Sequence, residues 1–275
     1  VRLIIMVPPR HGKSRTATVL FPSWVLGLAP YLPIITSSYS AELAEKFGSD
    51  TRDLMNDEVY RKLFDTRLRI DTAAKGNWMT TRNGTYFAAG VGGGITGRGF
   101  KLGIIDDPFK NRQEADSEVT REMVWNWYNS TFYTRQEGRS AIICIATRWH
   151  LDDLIGRLLQ EQEDAVAAGL PYFDKWEVVK FPAIAESDEY FGGKLLRTRG
   201  MPLWPEKFGL PELEVFKNKD IYEWSSLYQQ DPILSANAEF KEEWFKYFQE
   251  EDLKGKNLYY TTTVDLAIAE GNRAD

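Results

Sequence analysis

Residues 3–14 read LIIMVPPRHGKS: an apolar run, a proline pair, and a close on Gly12-Lys13-Ser14. A strand that enters a tight turn ending Gly-Lys-Ser has the form of the loop with which nucleotide triphosphatases hold phosphates. The strand aims the turn and backbone N–H groups curl around the phosphates. The lysine neutralises the outer phosphates, and the serine hydroxyl reaches Mg²⁺. Val7 stands where the full pattern has its first glycine. Pro8 and Pro9 carry no N–H, so the donors must come from Arg10, His11, Gly12, Lys13 and Ser14. The segment can also be read as an ordinary helix start that carries Gly-Lys-Ser by chance.

A phosphate loop needs an acid on a neighbouring strand. Residues 102–107 read LGIIDD, a short apolar run that ends in Asp106 and Asp107. Ligands of open α/β sheets bind beyond the carboxyl ends of the strands, where the loop after the first strand also lies. In that setting the first acid is expected to hold Mg²⁺ and the second to orient or deprotonate the attacking water. The other reading is a plain Asp-Asp-Pro turn, since Pro108 follows. A third apolar run, 141–146 (AIICIA), ends in Thr147-Arg148-Trp149-His150. A polar residue there can sense the outermost phosphate; Thr147 can equally cap the next helix.

Short apolar strands alternating with helical patterns predict an α/β fold, with a mostly parallel central sheet flanked by helices. Strands are expected at 2–7, 33–37, 67–70, 77–80, 85–89, 102–106, 141–146 and 176–181, with 67–89 an antiparallel excursion. Helices are expected at 13–27, after a Ser40 cap, at 116–136, at 151–167 and from Pro211 to Gln229. Residues 186–210 are rich in Gly, Pro and charge and read as loop. The chain has 275 residues, a net charge of −6 and one cysteine, Cys144, within an apolar strand. These values speak against a DNA-coating protein and against disulfides. No apolar run is long enough to cross a bilayer. His11 and His150 lack metal-ligand spacing, so no zinc site is expected. Two basic stretches, Arg61-Lys62 with Arg67 and Arg69, and 194–199 (KLLRTR), are candidate DNA contacts or merely solvated faces.

Taken in order, PPRHGKS, GGGITGRGF (92–100), LGIIDDPFK, IATRWH and SLYQQDP (226–232) resemble the large terminase subunit of tailed bacteriophages, a DNA-packaging motor. The resemblance implies a P-loop NTPase domain with a small lid over 1–232, a linker over 233–257, and the first strand of an RNase H-like nuclease over 258–275. By the same resemblance Lys13 and Ser14 take the phosphate and Mg²⁺ positions. Asp106 is the Mg²⁺ carboxylate and Asp107 the catalytic one, where many relatives carry Glu. Thr147 couples hydrolysis to motion, Arg10 senses nucleotide, and Asp265 is a nuclease metal ligand. Arg98 matches an arginine finger that reaches a neighbouring subunit's ATP. Its glycine-rich stretch would let it swing, and such a finger raises rates by about 10³–10⁵. It can also be a solvated loop arginine.

The resemblance further implies ATP and Mg²⁺ as cofactors. The implied partners are double-stranded DNA, a portal protein, a small terminase subunit and a homo-oligomeric ring, in the host cytoplasm and away from membranes. Relatives carry adenine-contacting residues upstream of Val1 and further nuclease acids downstream of Asp275. The chain is therefore expected to be a partial terminase without nuclease activity. A helicase-like P-loop ATPase and an inert prophage remnant are the alternatives.

Overall fold

The computed structural model describes residues 1–232. The strands are β1 (Arg2–Met6), β2 (Pro33–Ser38), β3 (Leu68–Ala73), β4 (Asn77–Thr80), β5 (Thr85–Gly90), β6 (Phe100–Asp106), β7 (Gln136–Ala146) and β8 (Trp176–Lys180). They form one sheet in the order β3-β4-β5-β2-β6-β7-β1-β8. From β5 to β8 every pairing is parallel; only β3-β4 and β4-β5 run antiparallel. The expected antiparallel excursion is thus an extension of the main sheet.

Parallel strands covered on both faces should be apolar at successive positions rather than alternate ones. The strands here behave so. Ile34, Ile104, Ile143 and Ile145 face one core with residues of α1 (Arg15–Leu20 continuing through Phe21–Leu28), α2 (Ala41–Asn56) and α3 (Glu58–Leu63). Their neighbours Ile35, Ile105, Ile142 and Cys144 face the other. That core is closed by α4 (Arg112–Asp116), α5 (Glu118–Trp127) with the turns that follow it, and α6 (Leu154–Ala167). Helices therefore flank the sheet on both sides, and Cys144 is a buried free thiol. Gly103 on β6 makes room on the second face, because a Cβ there would lie 2.7 Å from the Phe100 ring and 2.8 Å from Phe132.

Three local expectations shift. The helix expected over 116–136 is broken: Ser117 ends α4 and caps α5 through the amide of Thr120. The run then widens to a π-helical turn, Tyr128–Phe132, and β7 begins at Gln136. The helix after β7 is capped by Asp153, which accepts from Gly156 N at 2.9 Å, and not by Thr147. The stretch read as loop holds a hairpin, β9 (Glu189–Phe191) and β10 (Lys194–Arg197). Within it Arg197 is buried and paired with Glu189, so it is no free cation for DNA. The Ser40 cap stands as expected, accepting from Leu43 N at 3.2 Å.

Beyond β8 a second, small core forms from Ala183, Leu213 and Trp224, packed by Phe208, Phe216 and Tyr228. It is carried by α7 (Leu210–Lys219) and α8 (Ile221–Glu223 with the turn Trp224–Tyr228). The expected linker, nuclease strand and Asp265 lie outside the described residues.

Candidate active site at the carboxyl rim of the sheet

Register fixes what meets at the rim. Met6 pairs with Ala146, and Asp106 pairs with both Ile145 and Ser38. The ends of β1, β7, β6 and β2 thus lie level, and the segments that leave them emerge on one edge. The phosphate-loop strand β1 and the acid strand β6 are separated by β7.

The loop after β1 curls because two of its residues take the left-handed region, Arg10 (φ 63°) and Gly12 (φ 84°). Glycine adopts this freely; for an arginine it costs about 1–2 kcal/mol. Hydrogen bonds around the turn offset that cost. His11 N donates to Pro8 O at 3.4 Å, His11 Nδ1–H to Pro9 O at 2.9 Å, and Lys207 Nζ to Arg10 O at 2.6 Å. With Nδ1 carrying the proton, Nε2 is a bare acceptor, buried without a partner among the described residues. Burial lowers the His11 pKa, helped by the charges of Lys207, Arg197 and Lys13, which keeps the ring neutral. Val7 is buried, and its carbonyl accepts from the Thr147 hydroxyl at 3.4 Å. The amides of Gly12 to Arg15, the first turn of the following helix, find no acceptor among the described residues. Free N–H groups at a helix start favour a negatively charged ligand.

The acids stand opposite. Asp106 is only 1% exposed. Its Oδ1 accepts from Ser14 Oγ at 3.1 Å and its Oδ2 from Thr18 Oγ1 at 2.6 Å. Ser14 and Thr18 share a helix face, and between them α1 starts as a π-helix, a distortion often found at functional sites. Asp107 leaves the strand with φ 46°. Its N donates to Ile145 O at 2.8 Å, Oδ1 accepts from Thr147 N at 3.0 Å, and Oδ2 pairs with Lys13 Nζ at 2.7 Å. Lys13 Nζ also donates to Thr147 Oγ1 at 2.6 Å. Burial, and then the charge of Asp107, push the Asp106 carboxyl up to about 7, against the bonds from Thr18 and Ser14 and the charge of Lys13. An oxygen pair with raised proton affinity, flanked by a serine hydroxyl, suits a hard divalent cation that would displace the proton.

Of the residues singled out in the sequence, Arg10, His11, Gly12, Lys13, Ser14, Asp106, Asp107 and Thr147 meet at this rim. Arg98 does not. Its guanidinium lies 4.1 Å over the Phe87 ring and donates to Asn77 Oδ1 at 3.3 Å, on the β4–β5 side of the sheet. No hydrogen bond or ion pair joins it to the loop among the described residues.

Sequence reasoning missed several contacts. Thr18 was legible in principle, at helical spacing from Ser14. Segment 204–208 (WPEKF) roofs the loop: Phe208 lies 5.0 Å from the His11 ring, and a Cβ on Gly12 would sit 3.9 Å from Trp204. It belonged to the stretch read as loop, and no pattern marked it. Gln230, in SLYQQDP, accepts from Arg148 N at 3.2 Å.

The family model for the terminase large subunit, T4likevirus-type, N-terminal part, matches residues 4–246. Among solved structures, the crystal structure of the HK97 bacteriophage large terminase is similar with a TM-score of 0.52 at 13% identity, over 84% of this chain. The chain spans 47% of the length of that protein. Comparison with curated proteins finds no match.

Proposed function

This chain belongs to the T4likevirus-type large terminase subunits, and from that premise we propose that it is a Mg²⁺-dependent ATPase whose turnover drives double-stranded DNA into a viral procapsid. The observation that carries the reading is the meeting of Lys13, Ser14, Asp106, Asp107 and Thr147 within hydrogen-bond distances, beside the amides of Gly12 to Arg15, which find no acceptor among the described residues.

The phosphates lie on the amides of Gly12 to Arg15, with Lys13 moving from Asp107 and Thr147 onto the outer phosphates. Ser14 and Asp106 would hold Mg²⁺, which supplies positive charge across the outer phosphates. Released from Lys13, Asp107 accepts a hydrogen bond from a water in line with the terminal phosphorus. Thr147, bonded to both Lys13 and Asp107, registers whether that phosphate is present. Catalysis of this kind is positional and electrostatic. Arg98, remote from its own subunit's loop, completes a neighbour's site in a ring. Arg10, exposed at the loop tip, senses nucleotide. Double-stranded DNA, a portal protein and a small terminase subunit are the partners. The domain plan is an ATPase and lid over 1–232, a linker over 233–257 and the start of an RNase H-like nuclease over 258–275, with Asp265 as a metal ligand. The site of action is the host cytoplasm. Among the described residues no helix is long and apolar enough to cross a membrane.

The test is ATP turnover and nucleotide binding by the wild-type chain, Lys13→Ala and Asp107→Asn. Both variants are expected to lose turnover, with Asp107→Asn still binding ATP. Asp107→Asn turning over within about fivefold of wild type removes Asp107 from its role. A wild-type chain that binds no nucleotide counts against the ATPase reading and favours an inert remnant.

A further inference from the structure

Gln230 is only 3% exposed and sits at φ 58°, a left-handed conformation that a buried side chain with a Cβ rarely adopts. The structure surrounding it over-determines the position. Oε1 accepts from Arg148 N at 3.2 Å, and Nε2 donates to Leu227 O. Ser225 closes the turn on both sides: its carbonyl accepts from Asp231 N at 2.9 Å, and its hydroxyl donates to Asp231 O at 2.6 Å. The preceding Gln229 clamps one residue, accepting from Ile184 N and donating to Ile184 O, each at 3.1 Å. Two successive glutamine amides therefore bind two different segments of backbone.

The segment Gln230 holds is the peptide directly after Thr147. Around it everything else is already committed. Thr147 N goes to Asp107 and its hydroxyl meets Lys13. The Arg148 guanidinium is buried against Asp153, the cap of α6, at 2.9 Å. Arg148 N is thus the remaining backbone donor through which this strand end touches the small core of α7 and α8.

We infer that Gln230 is a positioning residue: it holds the Arg148 peptide so that Thr147 stays aimed at Lys13, and it carries nucleotide-dependent movement of that strand end into the 221–231 turn. The inference rests on the ATPase reading. A phosphate that draws Lys13 away leaves the Thr147 hydroxyl with only its bond to Val7 O and frees Asp107, which holds the Thr147 amide. The Thr147 peptide plane then turns, and the next N–H along, held by Gln230, moves with it. Nucleotide binding itself needs only the loop amides and Lys13, so removing Gln230 should slow turnover without weakening binding.

The experiment uses the full chain with Gln230→Leu, which deletes both amide bonds at similar volume, and Gln230→Glu, which keeps an acceptor for Arg148 N. Turnover, ADP affinity, and amide hydrogen exchange of 145–150 and 221–231 with and without nucleotide are measured. In wild type, nucleotide should alter exchange in both segments. Gln230→Leu should confine the change to 145–150 and lower kcat by about tenfold, the rate equivalent of one lost hydrogen bond. ADP affinity should stay within about twofold, and Gln230→Glu should recover most of the rate. Wild-type kcat in Gln230→Leu overturns the inference alone. So does a rate that falls only in step with the unfolded fraction, or a Glu variant no faster than the Leu variant. Absence of nucleotide binding in wild type sinks the ATPase reading instead, and this inference with it.

Discussion

Thr18→Val isolates one bond to the buried acid. Threonine and valine have the same branched shape, so the change exchanges a hydroxyl for a methyl in a fully buried position. The hydroxyl donates to Asp106 Oδ2 at 2.6 Å, and no other donor reaches that oxygen among the described residues. A hydrogen bond to a charged group contributes about 1.5–3 kcal/mol, against about 1 kcal/mol for a neutral pair. The full charged value applies only when Asp106 is ionised, which is the form a divalent cation requires. The Mg²⁺ concentration for half-maximal ATP turnover at pH 7.5 should therefore rise by about 10–100-fold. ATP affinity without Mg²⁺ rests on the loop amides and Lys13 and should stay within about twofold. Turnover across a Mg²⁺ titration, with metal-free ATP binding by calorimetry, measures both. Equal Mg²⁺ dependence in the two proteins refutes the assignment of Asp106 as the metal carboxylate. An equal loss with and without metal shows instead that Thr18 only supports the fold of α1.

Other outcomes follow from the same geometry. Lys13→Ala leaves the Asp107 carboxylate without its cation, so the variant should melt below wild type at neutral pH, read by thermal denaturation. The Asp106 carboxyl lies above its unfolded value of 3.8, at about 7, so the metal-free fold binds its proton more tightly than the unfolded chain does. The metal-free stability advantage of wild type over Asp106→Asn should accordingly fall as pH rises from about 4 to 7, while the lowered pKa values of His11 and His150 act equally in both proteins, and Mg²⁺ affinity should climb as pH rises through 7; an advantage that grows over that window contradicts the burial of this acid. Mixing Arg98→Ala with Lys13→Ala subunits should restore some turnover if Arg98 serves a neighbour, and no rescue at any ratio assigns it elsewhere. Gly103→Ala should cost about 1–3 kcal/mol, by denaturant unfolding, because its methyl meets Phe100 and Phe132.

What was legible in the sequence was whatever acts along the chain. The run LIIMV announces β1, LGIIDD announces both a strand and the acids at its end, and Ser40 announces its helix, because propensity, capping and periodicity are local. The meeting of Lys13 with Asp107 was inferable from the rule that ligands gather at strand carboxyl ends. Contacts made only by tertiary packing were not legible. Trp204, Lys207 and Phe208 reach the phosphate loop from about two hundred residues away, and nothing in PLWPEKF says so. Gln230 lay inside a quoted motif, yet its bond to Arg148 depends on a turn whose left-handed residue is not a glycine. Arg197 looked like part of a solvated basic run, and only the hairpin pairing reveals Glu189 as its buried partner. The broken helix over 112–135 shows the same limit: Ser117 signals a helix start as strongly as the aromatics beyond it signal continuation.

The left-handed bend at Asp107 bears on acid choice. Aspartate tolerates that bend better than most residues, since its short side chain satisfies nearby backbone donors, as the Thr147 amide shows here. Glutamate reaches one methylene farther and would favour an unbent chain. Which carboxylate a given family member carries at this place should therefore report the local curvature of its backbone, and the two acids should not be interchangeable by simple substitution without a compensating shift of the strand end.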